Sequence, residues 1–435
     1  MGAWGWFLAT GDLRRAGASY GRRVADRSDL DEFLVELGVN MIKSSQTVDD
    51  VEHQLIEIAS VMGADDVEVI ALPTAIMLEA PASATRTPGS VRSRLRSIRG
   101  QGLRFDQVEA VDALVRRARL GHVDAGGGLD ELAEIADRRP PHGRVIRSLG
   151  LGVLATGFSL ALQPSLVGVA LAFVLGTVVG AFVTLELPGF GPVTPTLASF
   201  GVSLAVFALF DLYDGQNPIR LLIPPLLIFL PGAKLTLGTI ELAEGAMVSG
   251  TSRLMSGLID LLLLATAIVA AASLIDLPQR DLLDRPAPQL GAWSLIPAVV
   301  LIAFGYRYFS CATRRSVPWI LLVLSVALAA ERLASLVFSP AVSAFVAAAA
   351  MTPVVLAIDR RPTGPRAMVL FLPGFYLLVP GATGLIDVTE SVAPVFSSSS
   401  LINTMSIVVA IALGVLVAKG GEEAVSGLVL ARRSH

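Results

Sequence analysis

Residues 224–253 read PPLLIFLPGAKLTLGTIELAEGAMVSGTSR, an apolar helical run cut by Pro231-Gly232 just where Lys234, Glu241 and Glu244 enter. A proline inside a helix removes one intrahelical hydrogen bond and crowds the preceding turn, and a glycine beside it loosens the backbone further. The pattern returns 149 residues later. Pro373 to Glu390 reads PGFYLLVPGATGLIDVTE, so both copies share a proline, six residues, Pro-Gly-Ala, a short spacer and then Gly-x-Ile-acid-x-x-Glu. Glu241 and Glu244 of the first copy correspond to Asp387 and Glu390 of the second.

The chain around these motifs is 53% hydrophobic and 16% charged over 435 residues, with a mean hydropathy of +0.66. That balance excludes an ordinary soluble globule and places most of the chain in lipid. A net charge of −3 and a pI near 5.9 offer nothing to a nucleic acid, so the arginine clusters read as membrane-orientation signals. Cys311 is the single cysteine, which excludes an internal disulfide, and the four histidines lack metal-ligand spacing. No metal and no cofactor are expected.

Apolar segments of spanning length fall at about 145–162, 166–185, 193–210, 219–240, 254–275, 292–310, 317–338, 340–358, 367–386 and 401–418. The motifs sit in the fourth and ninth of these ten. An odd repeat of five reverses direction, so the fold class expected is a polytopic α-helical membrane protein built from two five-helix inverted repeats. A small α+β cytoplasmic N-terminal domain precedes them. The division expected is an N-terminal segment 1–28, the head 29–144, the first repeat 145–276, a linker loop 277–291, the second repeat 292–420 and a tail 421–435. In the head, helices start at Leu30 behind Ser28 as cap and at Thr47, where Thr47 and Asp50 form a capping-box pattern. Strands follow at 67–72 and 75–78, a third within Arg92 to Arg104, and helices near 106–120 and 129–137, with Gly126-Gly127-Gly128 read as a linker.

Arg138, Arg139, Arg144 and Arg147, then Arg307, Arg314 and Arg315, then Arg360, Arg361 and Arg366, and finally Lys419, Arg432 and Arg433 all fall on one side of that plan. Both termini are therefore expected in the cytoplasm, on the inner face of the cell membrane.

Broken helices free backbone groups that lipid cannot satisfy, so Pro231, Gly232 and Ala233, with Pro380, Gly381, Ala382 and Thr383, are expected to face a polar cavity. Lys234 is a candidate for a substrate carboxylate, and Thr236, Ser249 and Ser252 for a polar side chain. Glu241, Glu244, Asp260, Asp387 and Glu390 are candidate proton carriers, because burial raises a carboxylate pKa. The plainer readings are packing kinks at Pro-Gly, acids at the membrane edges, a helix cap at the serines, and Asp260 paired with Arg253 on its own helix. In the head, Asp49, Asp50, Glu52, His53 and Thr74 are the residues a membrane-anchored hydrolase would use. First-turn acids and a Pro-Thr turn also have ordinary structural roles.

FLPGAKLTLGTIELAEGAMVSGTSRL and LVPGATGLIDV closely resemble the signatures of the two membrane halves of the threonine/serine exporter family. In the head, Met62-Gly63, Asp66-Val67-Glu68-Val69 and Leu72-Pro73-Thr74-Ala75-Ile76 resemble that family's N-terminal domain. The resemblance implies a cytoplasmic-membrane exporter that moves threonine and serine outward on the proton motive force. Its partners would be a small amino acid, protons and the bilayer, with a homo-oligomer left open. Relatives split over two polypeptides imply dicarboxylate (succinate-like) export as the alternative, in which Lys234 and Arg253 would dominate the site.

Overall fold

The computed structural model describes residues 27–81, 91–100, 102–162, 165–187, 189–209, 218–275, 290–361, 364–378 and 398–433. They form two compact units, the first running to Arg139 and the second from Pro140 onward, with Arg104–Asp106 counted in the second.

The first unit holds helices α1 (27–43) and α2 (Val48–Val61), strands β1 (Glu68–Leu72), β2 (Ala75–Pro81) and β3 (Val91–Ser97), and helices α3 (Phe105–Arg119) and α4 (Ala125–Asp137). Thr47 caps α2: its hydroxyl accepts from the Asp50 N–H and donates to the Asp50 carboxylate at 2.8 Å. The strands form an antiparallel sheet in the order β1-β2-β3, and Pro73-Thr74 closes the first hairpin with Leu72 opposite Ala75. Alternation along β2 sends Ile76, Leu78 and Ala80 into a core shared with Leu34, Leu37, Val51, Leu55 and Ile58.

Three departures from expectation have physical causes. The third strand ends at Ser97, and its alternate arginines face the acids of α1: Arg92 lies 2.8 Å from Asp31, Arg94 3.2 Å from Glu32, and Arg96 pairs with Glu36. The Ser28 hydroxyl accepts from Arg94 at 2.7 Å inside α1. Gly126 to Gly128 are the first turn of α4, not a linker, because the Asp124 carboxylate takes the Gly127 N–H at 3.2 Å. A Cβ on Gly128 would strike the Phe33 ring, so close packing outweighs poor helix propensity there.

The second unit contains α5 (Arg144–Ala161), α6 (Leu166–Thr184), α7 (Thr194–Ala208), α8 (Pro218–Leu226), α9 (Gly232–Ala243), α10 (Met247–Leu274), α11 (Leu295–Tyr308), α12 (Val317–Ser335), α13 (Pro340–Asp359), α14 (Ala367–Leu378) and α15 (Ser398–Arg433). Among the described residues seven helices are long and apolar enough to cross a membrane, and the bent pair Arg220–Phe229 with Gly232–Ala243 makes up to eight. Two shorter apolar helices, Ala292–Tyr308 and Ala367–Leu378, fall within the sixth and ninth expected segments, the latter's residues 379–386 lying outside the described ones.

The first helices of the two expected halves, α5 and α11, run in opposite directions against each other. Gly150 meets Tyr308 and Phe309, Gly157 meets Ala298 and Ile302, and the Ser294 hydroxyl donates to the Leu160 carbonyl at 2.9 Å. Small residues let the backbones approach, which is how helices associate where no hydrophobic effect separates helix from lipid. Some packing partners correspond between the two sets: α8 contacts α6 and α7, and α7 contacts α10, while α14 contacts α12 and α13, and α13 contacts α15.

Cationic helix ends are tied to their neighbours one after another. Arg147 reaches Glu186 beyond α6 at 3.7 Å, and Arg361 lies over the Trp319 ring at the start of α12, 5.0 Å from its centroid. Arg360 pairs with Glu422 at 2.6 Å and Lys419 with Glu244 at 3.1 Å.

Replacing Gly305 by Leu would drive a side chain into the Leu154 backbone, whose Cα lies 2.6 Å from the position a Cβ would take. The expected loss is about 1–3 kcal/mol or more, read as a lower unfolding temperature of the purified protein. In the head, burial pushes the Asp31 carboxyl up from 3.8, although Arg92, Arg94 and Arg27 pull it down. A raised folded pKa means that Asp31 stabilises fully below the unfolded value and less as pH rises through the folded value. Wild type should therefore lose stability relative to Asp31→Asn over that rise; a pH-independent difference in melting temperature would refute the assignment.

Candidate functional site

The helix α8 tightens into a 3-10 turn over Leu227–Phe229 and then stops. Leu230 is extended, with ψ 128°, and Pro231 turns the chain into α9 with φ −82° and ψ 28°. The two arms meet at 62°. Proline has no N–H to give to α8 and no side chain caps α9; the Leu230 N–H donates to the Leu227 carbonyl at 3.0 Å, and the Pro231 carbonyl accepts from the Leu235 N–H at 2.9 Å. The Pro-Gly pair is thus a true break of the fourth segment rather than a soft kink.

Beyond the break α9 ends at Glu244, and Gly245, at φ +96°, reverses the chain into α10. The two helices touch through Gly238 and Gly250: a Cβ on Gly250 would lie 2.6 Å from the Gly238 carbonyl. That closeness brings two ion pairs across the hairpin. Glu241 and Arg253 meet at 2.9 Å with side chains only 1% and 11% exposed. Lys234 meets Asp260 at 2.6 Å, with the Ser256 hydroxyl 3.4 Å from its Nζ, and these side chains are 50% and 36% exposed. Asp260 therefore does not pair with Arg253. The two lie about 10 Å apart along α10, and the neighbouring helix offers each a nearer partner.

A cavity of about 350 Å³ lies at the break. Its walls come from Gly191 to Thr196 at the start of α7, Ile228 to Lys234 across the break, Asp260 and Leu263 of α10, and Tyr376 of α14. Of the expected residues, Pro231, Ala233, Lys234 and Asp260 line it. Gly232, the first residue of α9, is buried beside it. Thr236 and Ser249 are buried in helix packing, Ser252 is exposed on α10, and Glu241 and Glu244 are engaged with Arg253 and Lys419. Pro380, Gly381, Ala382, Thr383, Asp387 and Glu390 lie outside the described residues.

Two polar lining residues, Thr196 and Tyr376, are not among the expected ones. Tyr376 occupies the place in the second motif that Leu227 holds in the first, and this polar departure from the repeat was the available signal. Through it a helix of each expected half reaches one cavity.

The hydrolase candidates of the head are placed differently. Asp49 and His53 face each other at 3.7 Å on an exposed helix surface, 57% and 82% exposed. Asp50 is bound to Thr47, Glu52 accepts the Ala71 N–H at 2.7 Å, and Thr74 sits in the exposed hairpin turn. Capping and helix-to-sheet anchoring account for these contacts.

The two ion pairs should separate in a stability measurement. Removing one partner of a buried pair leaves an uncompensated charge and costs about 3–5 kcal/mol, so Glu241→Ala should sharply lower folded yield and melting temperature. Asp260→Asn, beside an open cavity, should cost clearly less, and equal losses would contradict the difference in burial.

Comparison with curated proteins gave no match, and neither did comparison with solved structures. The family model described as "Putative threonine/serine exporter" matches residues 32–275, from α1 through the end of α10, which is more than half of the chain. With its run of apolar helices and the broken segment inside the matched region, this chain belongs to the threonine/serine exporter family.

Proposed function

We propose that the protein exports threonine, serine and similar small amino acids across the cell membrane, driven by the proton motive force, through alternating access of two inverted halves. The observation that carries this reading is the cavity at the Pro231 break, where an ion pair of the first half and Tyr376 of the second line one space. Interrupted helices that meet near the middle of a bundle are where secondary transporters place substrate and coupling ions. A volume of about 350 Å³ suits a small solute.

The antiparallel α5 and α11 support the inverted plan, as do the corresponding packing partners of α8 and α14. The cationic helix ends support an orientation with both termini and the head in the cytoplasm. The cavity wall at Gly191 to Thr196 follows closely in the chain on Glu186, which pairs with Arg147, and this adjacency supports loading from the cationic end. Asp260 is the carboxylate best placed to carry the coupling proton, because it lines the cavity and is 36% exposed, whereas Glu241 is committed to Arg253. Asp387 and Glu390 are candidates of the same kind in the second motif.

Vesicles loaded with labelled threonine provide the test. An acid exterior should speed efflux, and Asp260→Asn should slow the gradient-driven part about a hundredfold or more, the lower end of what a positioned proton-transfer group contributes. Efflux indifferent to both the gradient and Asp260→Asn would reject the proposal.

A further inference from the structure

Two ion pairs cross the α9–α10 hairpin, and only one can be reached by a solute. Glu241 and Arg253 are closed within the packing, while Lys234 and Asp260 line the cavity with half of the lysine and a third of the aspartate exposed. They are the charged residues of its lining. Asp260 lies about 20 Å along α10 from Met247, where a lone charge is poorly tolerated, so in the empty cavity it takes either Lys234 or a proton.

We propose that Lys234 and Asp260 form an exchangeable ion pair that reads an α-amino acid as a zwitterion. The substrate enters between them, its carboxylate taking Lys234 and its ammonium taking Asp260, so that one internal salt bridge is replaced by two intermolecular ones. The cavity stays electrically neutral before and after the exchange. This inference deepens the export reading and rests on it for the class of cargo.

Two consequences follow from charge alone. A dicarboxylate satisfies Lys234 but sets its second carboxylate against Asp260, and a simple amine satisfies Asp260 but leaves Lys234 without an anion. Each wrong ligand breaks the resident pair without replacing both bonds, which is specificity by penalty rather than by added attraction. In this scheme the ammonium is held by Asp260 and not by Glu241.

The test uses the full-length protein purified in detergent and reads thermal stabilisation against concentration for threonine, N-acetylthreonine, threoninol and succinate. Threonine should act at least tenfold below the other three. Asp260→Asn should reduce its advantage over N-acetylthreonine at least tenfold, and Lys234→Gln its advantage over threoninol. The reversed double variant K234D/D260K keeps the attraction between the helices and should keep the preference for the zwitterion; it decides the matter should a single variant not fold. Equal action of the four compounds on wild type, preferences that survive both single variants, or loss of the preference in the reversed pair would overturn the inference. Zwitterion preference without threonine transport would reject the export reading alone. Transport without that preference would reject the exchangeable pair alone.

Discussion

Backbone that leaves a helix inside a membrane must find polar company, because hydrocarbon offers none. At Leu230 and Pro231 the chain does leave its helix, turning through 62°, and the architecture around it answers that demand. The break lies against a cavity, with charged and hydroxyl groups from three further helices around it. An unbroken fourth segment would need no such space.

The α9–α10 hairpin shows how closeness and charge depend on each other. Gly238 against Gly250 draws two backbones together, and that register places Lys234 beside Asp260 and Glu241 beside Arg253. A larger residue at either glycine would part the helices and leave four charges stranded. The inner pair is sheltered and holds the hairpin as one body; the outer pair is open to the cavity. Burial alone separates a structural ion pair from one available for binding, since both have good geometry.

Much of the helical plan was legible because lipid imposes a simple rule of length and apolarity, and the break was legible because Pro-Gly occurs twice in the same setting. The partners of the charges were not. Asp260 and Arg253 share a helix face, which suggests a pair along the chain, yet the choice was made by the neighbouring helix at a distance no linear reading supplies. The arginines of β3 were legible as part of a strand, but their partners Asp31, Glu32 and Glu36 come from α1, about sixty residues away in the chain. Gly126 to Gly128 looked like a linker because propensity is local, whereas the Phe33 ring that requires Gly128 comes from a distant helix. Tyr376 was hidden inside the very motif that marked the break, at a position where the first copy carries leucine.

The central claim is that the interrupted fourth segment borders a water-filled chamber. Its most direct test labels single cysteines in intact membranes after the buried native Cys311 is replaced by serine. Ala233→Cys should react with a charged, membrane-impermeant thiol reagent applied from one face, whereas Leu262→Cys, on the exposed side of α10, should react only with a lipid-soluble reagent. An Ala233→Cys protein that no aqueous reagent reaches from either face would contradict the account.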